Sequence, residues 1–193
     1  MESKSSEASK YCLEAEKKLK PGFFSGLFSS KSSRLEEALT LYEKAGNLYK
    51  ILKNWNEAGE CFYKCGELEI QLGADAAGHF QDAAHCFSFV DSESKFKLKL
   101  GSSKSMEKAF DVYVNQGRFQ MAGKIQKQMA ENFEENFKYP EAIDCYQKAA
   151  DYFSMENSNT RSYEQGCLLK QADLMCITDY KNTFEIATKV FIF

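Results

Sequence analysis

The chain has 193 residues, 44% of them hydrophobic, and a formal net charge of −3. This length can bury a substantial core, either as one domain or as a run of stacked helical hairpins. The slight acidity excludes a global positive field, so we expect no nucleic-acid partner and only local basic patches. No long apolar run occurs and the first ten residues are polar, so the sequence predicts a cytoplasmic protein that is at most peripheral on membranes.

Helix-compatible spacing runs through almost the whole chain, and only two prolines interrupt it. A first helix is predicted over Glu7–Lys20, and Pro21-Gly22 ends it. The stretch Leu35–Leu72 indicates two amphipathic helices folded back on each other, with Asn54 offering a side-chain oxygen to cap the second. Further helices are expected near 75–90, 103–116, 118–136, 139–153 and 160–177, and from 181 onward.

Four large apolar side chains lie in the loop that follows the first helix, over residues 21–33. They are Phe23, Phe24, Leu27 and Phe28. A loop cannot easily bury all four, because its backbone polar groups need water. Either they plug the end of the helical stack, or they form a membrane-contacting loop whose rings enter the headgroup region beside cations that meet anionic lipid. Those cations are Lys17, Lys18, Lys20, Lys31 and Arg34.

The chain also repeats its own pattern. Small and aromatic residues over 37–49 have the same spacing as those over 141–153, and Phe119, Ala122 and Gly123 echo an earlier trio of Trp55, Ala58 and Gly59. Small residues where helices cross, with aromatics between the turns, are typical of tetratricopeptide arrays. The prediction is an all-α fold over residues 1–193, a single tetratricopeptide-like, right-handed array of antiparallel helix pairs with about nine helices and irregular repeats.

One segment between the predicted helices does not follow the helical period. Residues 91–103 contain Lys95–Leu100, in which lysine alternates with apolar residues at period two. This alternation fits either a short extended segment or a solvated basic connector. We favour the connector, because a lone strand has no sheet with which to pair.

The seven cysteines are odd in number and scattered, which fits reduced thiols. Cys61 and Cys65 share a helix face, and His79, His85 and Cys86 follow, so a zinc site is one interpretation. Two observations favour buried thiols instead. There is no CxxC motif, and the cysteines stand at positions that small apolar residues occupy in the other predicted helices. No phosphate loop or nucleophile motif is present, so we predict a non-enzyme without catalytic residues, metal or cofactor.

An ordered set of short peptides covers nearly the whole chain: 14–18 followed by 23–28, then 51–59, 117–119, 149–153, 156–159 and 167–170. Together these peptides resemble the N-terminal part of the soluble NSF attachment proteins. The resemblance implies a curved array that packs along the SNARE four-helix bundle, of syntaxin-type and other SNAREs, and recruits the NSF-type AAA ATPase that disassembles it. The expected processes are vesicle fusion and intracellular protein transport.

The resemblance also assigns residues. It implies that the apolar loop of Phe23, Phe24, Leu27 and Phe28 contacts membrane lipid. It further implies that basic side chains on a concave face grip the acidic SNARE surface; by motif these are Lys53, Arg118, Lys124 and Lys170. A solvated surface cation is the alternative interpretation for each of the four.

The sequence departs from the family pattern in three places, one of which is the connector of residues 91–103, longer and richer in lysine than the resemblance implies. Gly166 stands where the resemblance leads to a lysine, so we expect one SNARE contact to be either missing or shifted to Arg161. The chain ends at Phe193 without the C-terminal bundle that contacts NSF in the family, so we expect SNARE and membrane binding without stimulation of NSF. Two other functions stay open: a generic tetratricopeptide-like scaffold for a short peptide, and a peripheral lipid-binding protein.

Overall fold

The structure, a computed structural model, describes residues 2–20, 30–89, 95–156 and 160–191. Over these ranges it is all-helical, with eight helices and no strand, which confirms the predicted fold class. The helices are α1 Glu2–Leu19, α2 Lys31–Ile51, α3 Trp55–Leu72, α4 Ala77–Ser88, α5 Lys95–Asn115, α6 Phe119–Glu135, α7 Tyr139–Ser154 and α8 Arg161–Phe191. The predicted membrane-contact residues Phe23, Phe24, Leu27 and Phe28 lie outside the described ranges.

The chain divides into two compact units, Met1–Val112 and Tyr113–Phe193. In unit 1, consecutive helices pack against each other from α1 to α4, and α3 contacts both α2 and α4, as its wide apolar arc predicts. In unit 2, α7 lies between α6 and α8 in the same way. Packing of consecutive helices is the arrangement of a tetratricopeptide-like array.

Two predicted boundaries are wrong. Helix α5 begins at Lys95 rather than Ser103, so most of the expected basic connector is helical. Lysine and leucine are both good helix formers, and six alternating residues are too few to override that preference. The expected break between Ile177 and Lys181 is also absent, since no glycine or proline interrupts the sequence there and α8 is continuous.

The sequence repeat corresponds to a repeat in burial. In α2, Ala38, Tyr42, Ala45 and Tyr49 are buried in the core of unit 1. The matching positions of α7 are buried in the core of unit 2; they are Ala142, Tyr146, Ala149 and Phe153. Alanine at the crossing points lets the helices approach, and the aromatic rings fill the space between turns, where they bury apolar area.

Phenyl rings lie directly on glycine backbone where helices cross. A Cβ atom built on Gly59 would lie 2.7 Å from the Phe87 ring, and one built on Gly66 would lie 2.8 Å from Phe80. Phe87 also faces Gly101 of α5, where a Cβ would lie 3.3 Å from the ring. Two further crossings have the same geometry, with a distance of 3.0 Å in each: Gly46 with Phe62, and Gly123 with Phe153.

This packing predicts opposite effects for two alanine substitutions. We expect Gly66→Ala to destabilise the chain by about 1–3 kcal/mol, because the new methyl group would overlap the Phe80 ring. Gly78→Ala, at the second residue of α4, is the control: a Cβ there meets nothing within 4 Å, so the substitution should stabilise by up to about 0.5 kcal/mol through helix propensity. Urea denaturation measures both, and a neutral Gly66→Ala would show that the ring moves freely.

Candidate partner-binding surface

All four candidate SNARE-binding cations are exposed. Lys53 belongs to unit 1, in the turn between α2 and α3. The other three belong to unit 2 and are distributed along α6. Arg118 immediately precedes the helix, Lys124 lies in its second turn, and Lys170 of α8 reaches Glu134 near its end. The structure therefore groups three of the four predicted residues around one helix.

The turn at Lys53 is fixed by its backbone. Lys53 has a φ of 60°, its amide donates to the Lys50 carbonyl at 3.0 Å, and the Asn54 amide donates to the Tyr49 carbonyl at 2.9 Å. This is a Schellman helix end, whose left-handed position usually holds glycine. The predicted side-chain cap at Asn54 is absent. Its ψ of 73° differs from the extended backbone of a capping residue such as Ser30, whose ψ is 157°.

Arg118 follows the left-handed residue of an equivalent turn. Gly117 has a φ of 68°, and the Arg118 amide donates to the Tyr113 carbonyl at 2.9 Å. A third turn of this kind has Phe137 at a φ of 59° and is followed by Lys138, an exposed cation that the sequence reasoning missed. The available signal was the parallel between Phe137-Lys138-Tyr139 and Gly117-Arg118-Phe119.

The Arg118 side chain folds back on its own turn. Its guanidinium carbon lies 4.6 Å from the centroid of the Tyr113 ring, and Nη1 donates to Gln116 Oε1 at 3.2 Å. A cation–π contact at an exposed site contributes about 0.5–1 kcal/mol. The side chain is therefore partly ordered before any partner arrives, which lowers the entropy that binding would have to remove.

A glutamate from the end of α7 caps the start of α6. The Gln120 amide donates to Glu156 Oε1 at 3.2 Å. Arginine at the N-cap position has no acceptor for the free amides of the first turn, and a carboxylate there is also favoured by the helix dipole. Glu156 begins one of the peptides that carry the family resemblance, and this contact gives it a structural role.

Lys170 is held by an intramolecular contact. Its Nζ donates to Glu134 Oε1 at 3.0 Å, while Glu134 Oε2 accepts from the Tyr146 hydroxyl at 2.7 Å, so one carboxylate joins α6, α7 and α8. The Tyr146 hydroxyl and then Lys170 hold the pKa of Glu134 below its ordinary value, against the effect of burial. The carboxylate in turn raises the pKa of Lys170.

Lys124, unlike Lys170, is not held by a contact with another side chain of the described residues. It is exposed, and nothing in the described part of the chain forms an ion pair or side-chain hydrogen bond with it. On the same helix, Lys127 pairs with Glu131 at 3.6 Å. Of the three cations around α6, Lys124 is thus the most available to an acidic partner and Lys170 is the most committed within the fold.

The cations that flank residues 21–29 are partly paired. Lys18 of α1 forms an ion pair with Glu37 of α2. Lys17, Lys20 and Lys31 are exposed. No helix among the described residues is long and apolar enough to cross a membrane. The same residues contain no cluster of three or more His, Cys, Asp or Glu side chains arranged to hold a metal ion.

The fold and these exposed turns define an all-helical, tetratricopeptide-like binding module. Residues 6–192 match the family described as soluble NSF attachment protein, SNAP. The chain therefore belongs to the soluble NSF attachment protein family, as its short peptides suggested. Proteins of this family are adaptors and not enzymes.

Three relatives illustrate the match. The chain is 35% identical to the alpha-soluble NSF attachment protein of Homo sapiens, 33% to the beta-soluble NSF attachment protein of Bos taurus and 29% to the vesicular-fusion protein SEC17 of Komagataella phaffii. The alignments cover 97%, 97% and 94% of this chain. They cover 62%, 61% and 60% of those proteins, so the chain spans about three fifths of their length.

The Glu134 bridge predicts a pH-dependent contribution to stability. Because the folded-state pKa of Glu134 is lowered, its contribution is present above the ordinary glutamate pKa of 4.5 and is lost as the pH falls through the folded value. We expect Glu134→Gln to destabilise by about 1 kcal/mol at neutral pH. The difference from the unsubstituted chain should shrink in acid.

Glu135→Gln is the matched control, because the adjacent carboxylate is exposed and lies outside the bridge. Urea denaturation of the three proteins at neutral and acidic pH measures the difference. An equal loss in both variants, or a Glu134→Gln effect that is constant with pH, would contradict the bridge.

Proposed function

We propose that this chain is a non-enzymatic adaptor that binds SNARE four-helix bundles at membranes and works with an NSF-type ATPase in vesicle fusion. The observation that carries the proposal is the match of residues 6–192 to the soluble NSF attachment protein family. The names of the relatives refer to attachment of NSF and to vesicular fusion. Peripheral association with the membrane belongs to the same proposal.

The cations around α6 support the SNARE part of this proposal. An adaptor that grips a long acidic bundle uses many weak charge contacts, each partly screened by salt. Lys124 offers an ammonium group that no side chain among the described residues pairs with, and Arg118 offers a guanidinium that lies on the Tyr113 ring. Lys138 adds a charge in the equivalent turn at the other end of α6, with its Nζ 5.9 Å from the Phe133 ring centroid.

Retention on an immobilised, assembled SNARE bundle tests this role. We expect Lys124→Glu and Arg118→Glu each to weaken binding by about three- to tenfold, because each replaces an attractive charge by a repulsive one. Retention should also fall between about 0.15 M and about 1 M salt. Addition of NSF to the retained complex tests its attachment separately.

The control is Lys148→Glu, the same charge reversal on α7, where Lys148 pairs with Asp144 at 2.7 Å. Absence of retention at low salt, or an equal loss in this control, would overturn the SNARE role. Glu134→Gln should bind at least as tightly as the unsubstituted chain if Lys170 contacts the bundle, since it releases that ammonium group.

Flotation with vesicles that contain phosphatidylserine tests the membrane role of the apolar loop. We expect Phe23→Ser combined with Phe24→Ser to abolish flotation, because two rings are lost from the proposed insertion. Phe137→Ser is the matched control, since this ring is 78% exposed in the turn between α6 and α7.

Two outcomes would favour other functions. Unchanged flotation of the double serine variant, with reduced thermal stability, would indicate that the rings plug the helical stack. Flotation that persists when Arg118→Glu and Lys124→Glu are combined, in a chain that never binds SNAREs, would indicate a lipid-binding protein alone. Capture of a single extended peptide independent of the Phe loop would favour a generic scaffold.

A further inference from the structure

Two cysteine side chains from different helices touch in the core of unit 1. Cys12 of α1 and Cys61 of α3 have their sulfur atoms 3.5 Å apart, although they are separated by 49 residues in sequence. Both helices pack against α2, and both side chains adjoin the same apolar cluster. No other pair of cysteines in the described ranges forms such a contact.

The two thiols have different environments. Cys61 is buried, whereas Cys12 is only half-buried. Contact with the Cys61 thiol lowers the pKa of Cys12, against the effect of burial, and nearby Lys64 acts in the same direction. The same contact and burial raise the pKa of Cys61. Of the two thiols, Cys12 is therefore the one whose ionisation its surroundings favour.

Lys64 is held at this site by other residues. Its Nζ donates to the Tyr42 hydroxyl at 3.5 Å and pairs with Glu16 Oε1 at 3.6 Å. Glu16 lies one turn after Cys12 in α1, and Lys64 lies one turn after Cys61 in α3. The ion pair thus joins the two helices beside the two sulfur atoms, and it places a cation where a thiolate would need one.

We propose that Cys12 and Cys61 form a reversible disulfide site that reacts with small two-electron oxidants such as hydrogen peroxide. The Cys12 thiolate attacks one peroxide oxygen, the O–O bond breaks, and a sulfenic acid forms on Cys12. The hydroxide that leaves takes up the proton that Cys12 lost on ionisation and becomes the first water. The Cys61 sulfur then attacks the Cys12 sulfur, the S–O bond breaks, and the hydroxyl group leaves as water with the Cys61 proton. Two thiols are oxidised to one disulfide, and the peroxide is reduced to two waters.

The bond requires the two sulfur atoms to close from 3.5 Å to about 2.05 Å. The bond would fasten α1 to α3 and constrain a long loop in the unfolded chain. A thiol reductant would reverse the bond, because exchange begins with attack on either sulfur.

Peptide mapping of the full chain tests the site. Trypsin cleaves after Lys10, Lys17, Lys53 and Lys64, so it places Cys12 in residues 11–17 and Cys61 in residues 54–64, apart from Cys65. After peroxide treatment and alkylation of the remaining thiols, we expect these two peptides to be joined, with the loss of two hydrogen atoms. The oxidised chain should melt on the order of 5–10 °C higher.

Cys12→Ser and Cys61→Ala should each abolish the link, whereas Cys176→Ser, which removes an exposed thiol, should retain it. Recovery of both cysteines as alkylated thiols would overturn the proposal. So would oxidation of Cys12 to a sulfinic acid without a link to Cys61, or a link that forms only in urea. Each of these results would mean that the two thiols merely pack together.

Discussion

The close approach of phenyl rings to bare glycine backbone is the constraint on which this fold depends. At Gly46, Gly59, Gly66 and Gly123 the ring occupies the place of a side chain, so the two helices lie closer than ordinary side chains allow. This spacing buries the aromatic rings between the helices.

The turns between the packed helices carry exposed cations. Three of them share a left-handed residue followed by a polar residue and then an aromatic first residue of the next helix. In each of these turns the aromatic residue is partly buried, and in two of them the residue before it is an exposed cation. Arg118 and Lys138 are displayed in this way at opposite ends of α6. The backbone of the turn places the cation on the surface, and the contacts of its side chain within the fold determine whether it can bind a partner.

The sequence predicts the fold class well. The helical spacing of the apolar residues and the small residues where helices cross can both be recognised within short stretches of sequence. The boundaries of α3 and α7 are nearly as predicted. The start of α5 is missed, because helix propensity and alternation conflict over six residues. The commitment of Lys170 to Glu134 is missed for a different reason: the partners lie 36 residues apart, and no local pattern records their contact. The sequence does not reveal the proximity of Cys12 and Cys61 either, because they lie 49 residues apart.

The position of Phe87 has a dynamic consequence. Its ring lies between the backbones of two helices, at Gly59 on one side and Gly101 on the other. An aromatic ring in such a slot can rotate about its axis only when the walls separate for a moment, since packed interiors yield little. The rate of this ring flip therefore reports how often α3 and α5 separate enough to release the ring. NMR line shapes of the Phe87 ring would measure that rate.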